Sequence, residues 1–270
     1  MVLPLIYQAS GAKKNPLMLF VHGWPDNETL WQSQVAEFSS RYHCVAVRLP
    51  GFGPNEDINA GADFEELAAR LHATVAETRQ PGASLTLVGH DWGAYLSYLY
   101  EQRYGGVDRL ITMDVGAEVK PSSVVHAGFL VSYQWYLIGA WALGKVAPPA
   151  GNFLSRLFAK AGGAPAADLT RSRMNYLYAH FWRQILSGTR ALRPGYEPAC
   201  PILFLYGADK KFLFHAPDWE KRINELPGSE AHGILGAGHW LMRDQPRLVN
   251  GLMEEWLRGE ARCRKASSSR

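Results

Sequence analysis

The sequence predicts an α/β fold class: a doubly wound, mostly parallel sheet with an inserted helical lid. Two observations predict it. Short apolar or β-branched runs alternate with longer amphipathic ones, the pattern of parallel strands joined by crossover helices. The alternation then stops over residues 120–198, a stretch with no strand-like run and rich in Trp, Tyr, Phe, Ala and Gly.

The strand-like runs are Leu17–His22, Cys44–Leu49, Leu85–Gly89, Leu110–Val115, Ile202–Tyr206 and Ala231–Leu235. Residues 27–40, 63–79, 92–104 and 217–226 read as the intervening helices. In the second of these, Phe64, Leu67, Ala68, Leu71 and Val75 recur at helical spacing, Asp63 is placed to cap it, and Glu65 and Glu66 favour its first turn. A Pro148–Pro149 break interrupts the late helical stretch. The chain therefore divides into a first core part (1–119), a helical lid (120–198), a second core part (199–262) and a basic tail (263–270) expected to be disordered. A lid in that position can cover the carboxyl ends of the strands, where ligands bind in open α/β sheets.

Composition excludes several classes. At 270 residues and 47% hydrophobic content the chain can bury a sizeable core. Its formal charge of +3 is small, and part of it sits in the tail RCRKASSSR. No basic stripe interleaved with aromatics occurs elsewhere, so nucleic acid is not an expected partner. The first lysines follow the N-terminal apolar piece, the reverse of a secretory signal. The longest apolar region, residues 126–144, is interrupted by Ser132, Tyr133 and Gln134, so a buried helical region is expected in place of a membrane span. Cys44, Cys200 and Cys263 are unclustered and suit a reducing cytosol, hence a cytoplasmic location. No C-x-x-C, H-E-x-x-H, Walker loop or G-x-G-x-x-G pattern occurs, so neither a metal nor a cofactor is expected.

Five loop motifs stand at the ends of predicted strands: HGWP (His22–Pro25), RLPGFG (Arg48–Gly53), GHDWGA (Gly89–Ala94), YGADKK (Tyr206–Lys211) and GAGHW (Gly236–Trp240). In GHDWGA, Gly89 and Gly93 flank Asp91 where a sharp strand-to-helix elbow leaves no room for side chains. Such an elbow exposes its central residue as a nucleophile. The bland alternative, a helix N-cap and nothing more, does not account for the other four loops. An aspartate nucleophile attacks saturated carbon and itself becomes the acyl half of the resulting ester. His239 is the one histidine in a small-residue loop open to such a site, and His22 and His90 are expected to be structural.

With these motifs the chain resembles the α/β-hydrolases that carry an aspartate nucleophile, and among them the epoxide hydrolases. The resemblance runs from HGWP to the last helix, with an N-terminus short enough that one or two leading strands are expected to be missing or reduced. It implies Asp91 as nucleophile, His239 as the base that activates water, and the backbone N–H groups of Trp24 and Trp92 as an oxyanion hole. The acid that orients His239 is expected at Asp209, with Asp114 at the end of the preceding strand as the alternative.

The leaving group separates two substrate classes. An opening epoxide needs a proton, which epoxide hydrolases supply from two lid tyrosines. Tyr133 and Gln134 in SYQWY resemble the first of these and its neighbour, with Gln134 and Trp92 expected to contact substrate. For the second, Tyr178 shares a helical face with Phe181, Trp182 and Ile185, while Tyr176 lies about 200° around the helix; Tyr178 is preferred and Tyr176 kept as the alternative. Haloalkane dehalogenases generally place Asn where Trp24 stands or a second Trp in the lid, yet they share Trp92, so they are the runner-up. A non-catalytic receptor on the same fold has no need of Asp91, Asp209 and His239 together. The lid aromatics Trp135, Trp141, Phe153, Phe158 and Trp182 imply an apolar epoxide as substrate, with water as co-substrate.

Overall fold

The computed structural model describes residues 2–57 and 59–267. In chain order the elements are β1 (Ile6–Ser10), β2 (Leu17–Val21), α1 (Gln32–Phe38), β3 (His43–Arg48), α2 (Phe64–Thr78), β4 (Leu85–His90), α3 (Trp92–Tyr104), β5 (Arg109–Met113), α4 (Val124–Val146), α5 (Pro148–Ala161), α6 (Tyr176–Ser187), β6 (Ile202–Gly207), α7 (Trp219–Glu225), β7 (Glu230–Ile234), α8 (Leu241–Asp244) and α9 (Pro246–Ser267). The strands form one sheet in the order β1-β3-β2-β4-β5-β6-β7. Every neighbouring pair is parallel except β1 with β3.

The physics of the five central strands explains why they are legible. Helices cover both faces of the sheet, so β2, β3, β4, β5 and β6 are buried almost end to end and show unbroken apolar runs in place of alternation. Strand β1 is the exception, a short leading strand that the sequence reading did not name. Its sequence IYQAS is largely exposed and pairs antiparallel with β3 as an edge strand, Ile6 opposite Arg48 and Ser10 opposite Cys44. An edge that faces water needs no apolar pattern.

Helix α2 forms as its sequence dictates. The Asp63 carboxylate accepts the Glu66 N–H at 2.9 Å, and Phe64, Leu67, Ala68, Leu71 and Val75 are buried. Between β5 and β6 the chain is helical, with α4, α5 and α6 joined through short 3-10 turns at Ala167–Leu169 and Ser172–Asn175. Helix α4 ends at Val146 and Pro148 opens α5, where a missing N–H costs nothing. The two helices cross closely because Gly151 lies on Gly144 and the Ala140 carbonyl, where a Cβ would collide. No helix among the described residues is long and apolar enough to cross a membrane. At the C-terminus the backbone of α9 carries helix through residue 267, into the segment 263–270 that was expected to be disordered. Residues 268–270 of that segment lie outside the described residues.

Candidate active site

Asp91 sits one residue past β4 and one before α3, with φ 53° and ψ −121°. This strained conformation is held by close packing that only glycine allows. A Cβ on Gly93 would strike the Val21 carbonyl, one on Gly89 the Gly93 carbonyl, and one on Gly23 the Asp91 carboxylate itself. The loop after β2 thereby comes close enough for the Trp24 N–H to donate to Asp91 Oδ2 at 2.8 Å. Burial pushes the Asp91 carboxyl above its ordinary range, while His239 and the backbone N–H groups of Trp92 and Trp24 favour the ion. Oδ2 takes the Trp24 amide, and Oδ1 faces His239, whose Nε2 is 3.9 Å away.

The Nδ1 of His239 hydrogen-bonds Asp114 Oδ2. This corrects the assignment of Asp209, which is exposed and contributes its backbone N–H to the Ala237 carbonyl at 3.2 Å. Asp114 follows β5 with φ 72°, a left-handed turn that swings its carboxylate inward to full burial. There its Oδ1 accepts the Gly207 N–H at 3.3 Å and is paired with Lys210 Nζ at 2.5 Å. Burial alone would raise the Asp114 carboxyl, but Lys210 and His239 hold it well below the usual carboxylate range. Burial likewise opposes a charged His239, yet Asp114, by charge and hydrogen bond, and Asp91 together raise its pKa above the ordinary value. Asp114→Asn is expected to lower turnover roughly a thousandfold or more by losing the imidazole's orienting charge, and Asp209→Asn to leave it within about twofold. Steady-state rates of the two variants check the correction.

His22 and His90, the two histidines expected to be structural, each hydrogen-bond the backbone. His22 donates from Nδ1 to the Gly23 carbonyl and accepts the Leu49 N–H at Nε2, which fixes a neutral ring; burial pushes its pKa down to about 4. His90 donates from Nε2 to the His239 carbonyl at 2.9 Å and so holds the backbone of His239.

Above the carboxylate lies a cavity of about 450 Å³, lined by Asp91, Trp92, Tyr133, Gln134, Tyr178 and Phe214 among others. The Tyr133 and Tyr178 rings, from α4 and α6, meet edge to face with centroids 6.0 Å apart, and Tyr178 also stands edge-on to Trp92 at 5.2 Å. Burial first, and the Asp91 charge in addition, raise both phenols far above the usual tyrosine range, so both stay protonated. Gln134 accepts the Trp182 indole N–H at 2.7 Å and donates to the Tyr133 hydroxyl at 3.3 Å. Tyr176 points the other way, into a pocket of Phe52, Gly51 and Gly61, where its buried hydroxyl has no hydrogen-bond partner among the described residues. The aromatics of the insertion divide: Trp182 lines the cavity and Phe158 stacks on Tyr133 at 5.6 Å, whereas Trp135 and Phe153 face outward.

Sequence reasoning passed over two residues that build this site. Asn175 accepts the Trp24 indole N–H at 2.7 Å and donates to Leu137 O and Ser155 Oγ, tying the loop that carries the Trp24 amide to the helical insertion. Asp26, next to HGWP, is buried and accepts the Trp240 indole N–H at 2.7 Å beside His239. Neither carries a periodic or spacing signal. Among the described residues no cluster of His, Cys, Asp and Glu is arranged to hold a metal ion.

Comparison with known proteins places this geometry. The model of the Alpha/beta hydrolase family matches residues 18–252. Epoxide hydrolase 3 of Xenopus tropicalis is 29% identical over 285 residues, 93% of this chain and 74% of that protein. A mutant of an epoxide hydrolase from Bacillus megaterium superposes with a TM-score of 0.70 at 24% identity, covering 94% of this chain and 96% of that one. A loop variant of a haloalkane dehalogenase from Bradyrhizobium elkanii superposes almost as well, with a TM-score of 0.69 at 20% identity over 96% and 95% of the two chains. At such identities the structural likeness speaks for the fold and leaves the substrate to the chemistry of the cavity.

Proposed function

The chain belongs to the alpha/beta hydrolase family, and from that premise we propose that it is an epoxide hydrolase converting an apolar epoxide and water to a vicinal diol. The observation that carries this reading is the pair of protonated phenols, Tyr133 and Tyr178, lining the same cavity as the Asp91 carboxylate. The curated relatives named as epoxide hydrolases support it. Residues 120–198 act as the lid over a core made of 1–119 and 199–262.

In the first step Asp91 Oδ1 forms a bond to one epoxide carbon as the carbon–oxygen ring bond breaks, and the electron pair moves onto the ring oxygen. The phenols of Tyr133 and Tyr178 hydrogen-bond that oxygen and deliver its proton. In the second step His239 Nε2 removes a proton from water, and the hydroxide attacks the ester carbon of Asp91. Negative charge gathers on Oδ2, where the Trp24 amide points, and the Trp92 amide, which also hydrogen-bonds the Asp91 carboxylate, is the second donor. The tetrahedral intermediate collapses with loss of the diol's alkoxide, which takes the proton from the His239 imidazolium, and the Asp91 carboxylic acid so formed returns its proton through water to the phenolate left by the first step. Asp114 keeps the imidazole in the tautomer this requires. No cofactor enters the sequence.

A second reading, haloalkane dehalogenase, rests on the buried Trp92 indole at the cavity wall beside the Tyr178 hydroxyl, whose N–H could donate to a halide. One experiment separates the two: epoxide and 1-bromoalkane hydrolysis measured side by side in the wild type, Tyr133→Phe, Tyr178→Phe and the double variant. Epoxide opening is expected to slow by roughly a hundredfold in each single variant and further in the double, because the phenols stabilise charge present only as the ring opens. Tyr176→Phe serves as the control from the opposite helical face. Bromide release comparable to diol formation, with the Tyr133 and Tyr178 changes harmless to both, would promote the dehalogenase.

A further inference from the structure

Lys210 has no part in the mechanism above, yet it is placed where a lysine is expensive. Its side chain is only 10% exposed, and its Nζ lies 2.5 Å from Oδ1 of the fully buried Asp114 and 4.5 Å from the centre of the Phe214 ring. Phe214 in turn stands edge-on to the His239 imidazole, with ring centroids 5.6 Å apart. Asp114 thus carries two partners on its two oxygens, His239 on Oδ2 and Lys210 on Oδ1. A lysine that only filled space here would incur desolvation that a methionine of similar length avoids.

We propose that Lys210 is a positioning residue of this site, fixing the Asp114 carboxylate in the rotamer that meets His239 and offsetting its negative charge so that the imidazole stays available as a base at neutral pH. The proposal rests on the reading of His239 as the base. An uncompensated buried carboxylate at hydrogen-bond distance favours the imidazolium, and an imidazolium cannot accept a proton from water. The Lys210 charge opposes that pull while leaving the orienting hydrogen bond intact.

The groups that face His239 come from every strand end around it. Asp91 approaches from the β4–α3 elbow and Asp114 from β5, both favouring the cation. Lys210 approaches from the loop after β6 and opposes it. His90 of β4 is held neutral, chiefly by burial, and touches the His239 carbonyl. Asp26, from the loop after β2, is pushed up to about 6 by burial. Only Lys210 among these supplies a positive charge, so its removal has no built-in substitute.

The test compares wild type with Lys210→Met, Lys210→Gln and Lys210→Arg by two readouts: the NMR titration of the His239 ring in the resting enzyme, and the pH profile of ester hydrolysis in single turnover. Lys210→Met and Lys210→Gln are expected to move both midpoints upward together by about one pH unit, with alkylation above the midpoint changed less than about threefold, and Lys210→Arg to restore both. Gln keeps a polar donor of similar reach, so a shift in both neutral variants assigns the effect to charge and covers failure of the methionine variant to fold. Unmoved midpoints in a folded neutral variant, with both chemical steps falling in parallel or only the melting temperature lowered, would overturn the proposal. A wild type that forms neither adduct nor diol would defeat the hydrolase reading instead, while the His239 titration continues to report on Lys210.

Discussion

Asp91→Ala leaves a folded protein that forms no diol. The carboxylate is the atom source for the first bond, so its removal deletes the covalent route; a loss on the order of 10⁵ to 10⁶ in turnover is expected, the scale seen when a nucleophile is removed from a catalytic unit. The fold survives because alanine keeps the Cβ that already stands at φ 53°, and because the lost group is a buried carboxylate raised above its ordinary range. Alanine also avoids the deamidation that could return an asparagine variant to wild type. The matching positive result uses heavy-oxygen water in a single turnover of the wild type, with label entering Asp91 and unlabelled oxygen appearing in the first diol. Unimpaired turnover by a sequence-verified Asp91→Ala protein would exclude Asp91 as nucleophile, and label in the first diol would point to direct attack by water.

Much of this architecture is written in the sequence because its physics is periodic. Strands buried on both faces must be continuously apolar, and α2 must show its core face every third or fourth residue. The choice between Tyr176 and Tyr178 as the cavity phenol is of the same kind: two residues apart on a helix is close to opposite faces, and the side with Phe181 and Trp182 is the cavity side. Strand β1 escapes detection because an exposed edge of IYQAS has nothing to bury. The choice between the two candidate acids fails for another reason. Asp114 and Asp209 each follow a sheet strand and differ little in local sequence context, and what separates them is the left-handed φ of 72° that turns Asp114 inward. The next residue after Asp209 turns inward in its place, and it is Lys210, the counter-charge to the acid that the sequence did not single out. Backbone handedness at a loop residue has no periodic signature.

His239→Gln is expected to separate the two chemical steps. On the proposed mechanism alkylation draws on the Asp91 carboxylate and the phenols, none of which the substitution removes, whereas hydrolysis draws on a base for water and loses it. Mixing the variant with an epoxide should therefore raise its intact mass by the mass of one epoxide, with the adduct stable over many wild-type turnovers. Hydrolysis should fall by roughly 10²- to 10⁴-fold, the range for loss of a positioned base. The wild type should show a milder form of the same block as pH falls. His239 titrates above its ordinary 6.5, and the species needed is the neutral one, so ester hydrolysis fails first as pH drops through that midpoint. The His239 cation and the amides of Trp92 and Trp24 favour the ionised Asp91 carboxylate against the upward push of burial, so alkylation is expected to continue and the ester to accumulate. Quenched-flow mass spectrometry across that pH range reads both species directly. If the glutamine variant forms no adduct and alkylation has stopped as well, His239 acts in the first step or water attacks the epoxide directly, and the covalent mechanism gives way.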